Sequence, residues 1–160
     1  MSRARNLLKY WLPSLLWILL IYGASSDPYS ARHSSRIIAP IVRWLFPHLS
    51  GAEVELVVLA VRKCAHLVEY AVLAVLLWYA LWKPAWKDPR PWSWAMARRA
   101  LLLVALYAAA DEVHQTFVPS RQGAVSDVAL DTCGAAAGLL MAAVVYKWQG
   151  RRCARTAPQI

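Results

Sequence analysis

The sequence predicts an all-α integral membrane protein, a bundle of four transmembrane helices that forms a single domain over residues 1–160. Its composition supports this fold class, because 59% of the residues are hydrophobic and only 17% are charged, as is typical of membrane proteins. Several apolar stretches also approach the roughly 20 residues that a helix needs to span lipid. The lysines and arginines stand in short clusters at the ends of these stretches, which is the pattern of a membrane topology signal.

The charge and the cysteine content disfavour two other classes of protein. The formal charge of +9 would suit a nucleic-acid ligand, but the basic residues are dispersed over the ends of apolar runs. No nucleic-acid partner is therefore expected. Cys64, Cys133 and Cys153 form no CxxC pair. We interpret them as small apolar residues, and we expect neither a disulfide framework nor a cysteine-bound zinc ion.

The first helix is predicted at about residues 7–23. Basic residues precede this apolar run, and Pro28 ends the helix because the residue before a proline disfavours the α conformation. A cleaved signal peptide is the alternative, since Ala24-Ser25-Ser26 offers small residues for cleavage. The aromatic content of the run and the three later apolar helices favour an uncleaved helix.

An amphipathic segment and a second helix follow. Residues 37–49 are expected to lie in the outer membrane interface, with His33 and His48 as surface residues of an irregular connection. Residues 50–53 read Ser-Gly-Ala-Glu, which has the form of a capping box, so a helix is expected to begin there and to run to Trp82. Such a helix would be about 48 Å long, against roughly 30 Å for the hydrocarbon core. We therefore place the membrane span at about 62–82 and expect the preceding part to project or bend.

The remaining two helices are predicted at about residues 97–117 and 125–146, followed by a basic tail over 147–160. A loop rich in proline and tryptophan precedes them and is expected to anchor at the head-group level. Twelve of the eighteen lysines and arginines lie in residues 3–9, in residues 83–99 or in the tail. By the positive-inside rule both termini are cytoplasmic. The start of helix two, the end of helix three and the start of helix four then meet at the outer face.

Three polar clusters fall at this face, one on each of these helix ends. Charged groups in or beside membrane helices usually serve a function, so we predict that the clusters form one composite site. Its candidate acid–base residues are His66, Glu69, Asp111, Glu112, His114, Asp127 and Asp131. Its candidate substrate-binding residues are Lys63, Tyr70, Gln115 and Arg121. Next to the third cluster, Gly134 and Gly138 form a GxxxG pattern, which is expected to pack helix four closely against the helices that carry the other clusters.

Each candidate also has a structural interpretation. His66 and Glu69 could simply bridge two helices, whereas the adjacent carboxylates Asp111 and Glu112, followed by an imidazole, exceed what packing needs. Arg62, Lys63 and Arg121 could extend to lipid head groups, or they could clamp a phosphate, for which the fork of Arg121 is best suited. Metal ligation is a further possibility for His66, Glu69, Asp111, His114 and Asp131. No H-E-x-x-H spacing supports it, so the sequence assigns neither a metal nor a cofactor.

The three clusters together resemble a known family. Arg62–Tyr70 reads R-K-x-A-H-x-x-E-Y, Asp111–Arg121 reads D-E-x-H-Q-x-F-x-P-x-R, and Asp127–Gly138 reads D-x-x-x-D-x-x-G-x-x-x-G. These motifs, together with Ser25-Ser26-x-Pro28 after the first helix, are similar to those of the VanZ-like family of small membrane proteins, over roughly residues 7–146. Asp27 stands where glutamine is common. The resemblance implies a place in the bacterial cytoplasmic membrane. Through the family's founding member it also implies a link to resistance to the glycopeptide antibiotic teicoplanin, but it implies no particular reaction.

Three functions are compatible with such a site. The first is an enzyme that acts at the outer leaflet on an amphiphilic, phosphate-bearing or cell-envelope substrate, with His66 or His114 as acid or base, oriented by Glu69 or Asp111. The second is a non-catalytic pocket for a lipid head group or a cell-wall precursor. The third is a transporter or flippase, which the absence of an inverted repeat disfavours. Membrane lipid is an expected partner in every case, and the sequence specifies no oligomeric state.

Overall fold

The chain is all-helical in the computed structural model, which describes residues 3–26, 30–84, 90–118 and 123–155. The described residues form five helices and no β-strand. The helices are α1 (Arg3–Ser26), α2 (Ser30–Leu45), α3 (Gly51–Trp82), α4 (Trp94–Gln115) and α5 (Val125–Arg155). The predicted all-α class is confirmed.

Four of these helices correspond to predicted ones and differ from them at their ends. α1 begins at Arg3 and ends at Ser26, α4 ends at Gln115, and α5 continues to Arg155. The extension of α5 covers most of what was predicted as a basic tail. Lysine and arginine are good helix formers and are favoured near a helix C-terminus, so the basic residues after Tyr146 prolong the helix.

The segment before the second predicted helix is more regular than expected. His33, predicted in an irregular connection, lies within α2, whereas His48 lies in the turn between α2 and α3. Tertiary packing explains the difference, because Val42 of α2 is buried against Val54 and Val58 of α3. The first half of α2 is polar and does not predict a helix by itself, but this contact stabilises the helix as a whole.

α3 begins at the predicted capping box. The backbone N–H of Ser50 donates to Glu53 Oε2 at 2.7 Å, and the N–H of Glu53 donates to Ser50 Oγ at 3.4 Å. The helix then continues over 32 residues to Trp82, and Lys83 caps it in the left-handed conformation with a φ of 49°. At its other end, residues 51–61 extend past the level of Lys63, which contacts Asp127 near the start of α5.

Among the described residues, three helical stretches are long and apolar enough to cross a membrane: Leu8–Ser26, Gly51–Trp82 and Val125–Gln149. α4 does not meet this criterion, although it was predicted to span. Its charged pairs, Arg98-Arg99 near the start and Asp111-Glu112 near the end, leave only a short uncharged stretch between them. The three helices that meet the criterion, α1, α3 and α5, indicate a membrane protein.

α3 is the central helix, since it packs against each of the other four helices and most extensively against α5. Glycines on α5 permit this approach. A Cβ on Gly134 would lie 2.5 Å from the carbonyl oxygen of Leu67, and a Cβ on Gly138 would lie 2.7–2.8 Å from three atoms of Ala71. No larger residue fits without moving the backbone, so the predicted role of the GxxxG pattern is confirmed and its partner is α3.

The end of the bundle opposite the polar clusters is closed by aromatic rings. Trp78 of α3 stacks on Trp92 with ring centroids 4.1 Å apart, and Tyr146 of α5 meets both rings edge-on. Trp92 is 7% exposed, so this tryptophan of the connection before α4 packs inside the protein. Such packing joins α3, α5 and the connection at this end of the bundle.

Candidate functional site

Asp111 lies at the centre of a polar network that joins α1, α3 and α4. Its Oδ2 accepts hydrogen bonds from the hydroxyl of Ser25 at 2.9 Å, the side-chain amide of Gln115 at 3.0 Å and the hydroxyl of Tyr70 at 3.2 Å. Asp111 is 4% exposed, and its Oδ1 has no hydrogen-bond partner among the described residues. Three donors on one buried carboxylate oxygen stabilise the contact of α1 and α3 with α4.

Glu112 instead holds the connection into α5. Its Oε2 accepts the backbone N–H of Ala124 at 2.8 Å, beside the start of α5, where N–H groups lack partners within the helix. Gly123 lies directly against the backbone carbonyl of Glu112, where an added Cβ would clash. The two adjacent carboxylates therefore serve different elements of the fold.

His114 is positioned by α1. Its Nε2 shares a hydrogen bond of 3.2 Å with the hydroxyl of Ser26, and its ring centroid lies 5.0 Å from that of Tyr22. Ser25 and Ser26 were not predicted as site residues, because they follow an apolar run and also match a cleavage site. Two signals were available: the hydroxyl groups end an apolar helix at the level of the polar clusters, and they belong to the Ser-Ser-x-Pro stretch of the family resemblance.

His66 of α3 and Asp131 of α5 lie close together without a hydrogen bond between them. Asp131 is 1% exposed, and its Oδ1 lies 3.9 Å from His66 Nδ1, beyond hydrogen-bonding distance. Within the described part of the chain this oxygen accepts no hydrogen bond. The side chain of His66 is 31% exposed, so the imidazole stands between the buried carboxylate and the surface. Because a buried polar group without a partner is costly, this pair is the candidate centre for proton transfer or ligand binding.

An ion pair lies one helical turn nearer the end of the bundle. Lys63 Nζ is 2.7 Å from Asp127 Oδ1, and the two side chains are 44% and 37% exposed. Asp127 also lies within electrostatic range of Asp131, as do Glu69, Asp111 and Glu112. The fold therefore brings the five predicted carboxylates to one end of the bundle, with Lys63 and His66 at their edge.

Comparison with known families connects this arrangement to a group of proteins. A family model described as VanZ/LLP1 matches residues 10–146, a stretch that contains all three polar clusters. The chain belongs to the VanZ/LLP1 family. The resemblance of its motifs to VanZ-like proteins is thereby confirmed. Neither a curated protein nor a solved structure matches the chain.

The other predicted residues of this VanZ/LLP1 protein occupy distinct positions. Tyr70 is fully buried beneath Asp111, and Gln115 is 6% exposed beside it. The backbone carbonyl of Glu69 accepts the indole N–H of Trp17 at 2.9 Å, which ties α3 to α1. Arg121 lies outside the described residues, so its role as an anion clamp stays a prediction.

The metal site that the sequence left open finds no support in the described part of the chain. Those residues contain no group of three or more His, Cys, Asp or Glu side chains that could hold a metal ion. Of the suggested ligands, His66 and Asp131 approach each other, whereas His114 contacts Ser26. What the described site offers is a buried carboxylate, a partly exposed imidazole and an exposed lysine–aspartate pair.

Proposed function

We propose that this VanZ/LLP1 protein lies in a bacterial cytoplasmic membrane with both termini in the cytoplasm. α1, α3, α4 and α5 cross the membrane, and α2 lies at the outer interface. Burial supports the crossing of α4, since Ala97, Ala100, Val104 and Ala108 lie in the core. A hydrogen bond of 3.1 Å from the hydroxyl of Tyr107 to the carbonyl of Ile18 also aligns α4 with the apolar part of α1. The distribution of lysine and arginine supports this orientation.

At the outer face, the site performs acid–base chemistry on an amphiphilic, phosphate-bearing or cell-envelope substrate. The observation that carries this proposal is the pairing of the buried Asp131 with the partly exposed His66 at 3.9 Å. A carboxylate beside an imidazole stabilises its protonated form, and it orients the ring once the two groups close to hydrogen-bonding distance. The imidazole takes a proton from an attacking hydroxyl group or water and returns it to the leaving group. Asp131 thus takes the orienting role that the sequence suggested for Glu69 or Asp111.

The charges around this pair suit a substrate held at the lipid surface. Lys63 is exposed enough to exchange its contact with Asp127 for a contact with a substrate phosphate, and Arg121 would supply a second cation. Modification of a lipid-linked or cell-envelope molecule would connect this site to the teicoplanin resistance associated with the founding member of the family.

The substitutions His66→Gln and Asp131→Asn test this function. Each variant is expressed in a teicoplanin-sensitive bacterium, and two quantities are measured: the inhibitory concentration of teicoplanin and the lipid-linked envelope composition by mass spectrometry. We expect both substitutions to abolish any change that the wild-type protein produces. His48→Gln, in the turn before α3, is the matched control and keeps the wild-type effect. A folded His66→Gln protein with full effect would overturn the acid–base mechanism.

Non-catalytic binding is the second candidate, and the same geometry favours it. His66 and Asp131 make no direct hydrogen bond at 3.9 Å, and Asp111 and Glu112 are engaged in contacts between elements of the fold. A binding protein would retain its ligand in stoichiometric amount without forming a product. In a binding protein, each conservative substitution at the site would weaken ligand affinity by a different amount. In an enzyme, every such substitution would abolish product formation.

A further inference from the structure

A groove between α2 and α3, beside the polar site and sharing only Arg62 with its first cluster, combines an apolar floor with charges of both signs. Its volume is about 320 Å³, within the range of roughly 300–1,000 Å³ found for ligand pockets. Val54 and Val58 are buried in its floor, and Arg43, Arg62 and Glu55 line it. We propose that this groove binds the head group of phosphatidylethanolamine, with Arg43 and Arg62 on the phosphodiester and Glu55 on the ammonium group.

The charges of the groove are available to a ligand. Although Arg43, Arg62 and Glu55 line one cavity, the structure shows no ion pair among them or from them to another described residue, in contrast to the nearby pair of Lys63 and Asp127 at 2.7 Å. Arg43 and Glu55 are exposed and Arg62 is half-buried. A ligand with both charges would pair with all three groups at once.

The depth of the groove suits a lipid head group. Arg62 precedes Trp82, at the aromatic end of the bundle, by 20 residues of continuous helix. At 1.5 Å per residue this is roughly 30 Å, the thickness of the hydrocarbon core. The groove lies on the far side of Arg62 and therefore borders the head-group layer. α2 also exposes Ile37, Ile41 and Trp44 beside it, as a helix in contact with lipid does.

The mixture of charges selects among lipids. Two guanidinium groups bind a phosphodiester through paired N–H donors, so any phospholipid satisfies the arginines. Glu55 repels a purely anionic head group such as phosphatidylglycerol, and it accepts hydrogen bonds from a primary ammonium group, which the quaternary amine of phosphatidylcholine cannot donate. The apolar floor accommodates the glycerol and the first acyl carbons.

Native mass spectrometry of the full-length protein in detergent tests this binding with phosphatidylethanolamine, phosphatidylglycerol and phosphatidylcholine, each added at the same concentration. We expect phosphatidylethanolamine to give the highest occupancy. The double substitution Arg43→Gln and Arg62→Gln should lower its affinity about tenfold. Arg36→Gln, an exposed arginine of α2 that does not line the groove, is the matched control and leaves the affinity unchanged. Glu55→Gln should remove the preference over phosphatidylglycerol.

The proposal would be overturned by equal occupancy by the three lipids, by an equal loss of affinity in Arg36→Gln, or by a preference for phosphatidylethanolamine that survives Glu55→Gln. Inorganic phosphate is added as a competitor to separate a lipid site from a site for free anions. Displacement of the lipid by millimolar phosphate would also contradict a lipid site. The measurement is independent of His66 and Asp131, so it is unaffected if the acid–base mechanism fails.

Discussion

Tyr70 and Asp111 join α3 to α4 through a hydrogen bond of 3.2 Å from the phenol hydroxyl to Asp111 Oδ2. Tyr70 is fully buried and Asp111 is 4% exposed, so neither group recovers a water partner if the other is removed. Ser25 and Gln115 donate to the same oxygen. Asp111 therefore accepts hydrogen bonds from residues of three helices. Its loss should lower the free energy of unfolding more than the loss of any one donor.

Tyr70→Phe should lower the free energy of unfolding by about 0.5–2 kcal/mol, because Asp111 keeps two of its three donors. Asp111→Ala should cost about 3 kcal/mol or more, since it leaves three buried donors without an acceptor. Unfolding in sodium dodecyl sulfate, followed by circular dichroism, measures both. Tyr22→Phe is the control, because Tyr22 is 51% exposed. Equal costs for Tyr70→Phe and Asp111→Ala would show that the network does not depend on the carboxylate.

Gly138→Ala should destabilise the bundle by about 1–3 kcal/mol through overpacking. The added methyl group would lie 2.7–2.8 Å from Ala71, so α5 must move away from α3. This movement should also separate Asp131 from His66 and reduce any activity of the site. Gly23→Ala is the matched control, because nothing lies within 4 Å of the added atom. The same unfolding titration gives the result, and an unchanged Gly138→Ala protein would contradict the close contact.

The pair of Lys63 and Asp127 should contribute little to stability despite its short distance. Both side chains are more than one-third exposed, so solvent screens the pair, and its coupling energy should fall below about 1 kcal/mol. A double-mutant cycle with Lys63→Gln and Asp127→Asn measures this energy. The cycle cancels the separate contribution of Asp127 at the N-terminus of α5, where a carboxylate is favoured in its own right. A coupling above about 2 kcal/mol would mean that the pair is desolvated.

Local features of the chain were predicted well because their signals are contained in a few neighbouring residues. Ser50 and Glu53 form the capping box that their spacing indicated, and α3 ends at Trp82 as expected. α2 was predicted less well, because its helix is stabilised by the burial of Val42 against Val54 and Val58 of α3. This is a contact between two helices, which the residues of α2 do not indicate by themselves.

The sequence by itself determined that the chain forms long apolar helices and that five of its nine acidic residues and two of its four histidines gather near three helix ends. It could not determine the partner of each polar group. His66 has Glu69 three residues away on its own helix, yet Asp131 of α5 is the carboxylate beside its ring. Asp111 and Glu112 are adjacent, but side chains of adjacent residues diverge by about 100° on a helix. One therefore meets α1 and α3, and the other meets the start of α5. The close approach of α5 to α3 at Gly134 and Gly138 brings Asp131 beside His66, and the packing of α1 and α3 against α4 sets the partners of Asp111. Tertiary structure decided both, because a hydrogen bond depends on distances that tertiary packing sets.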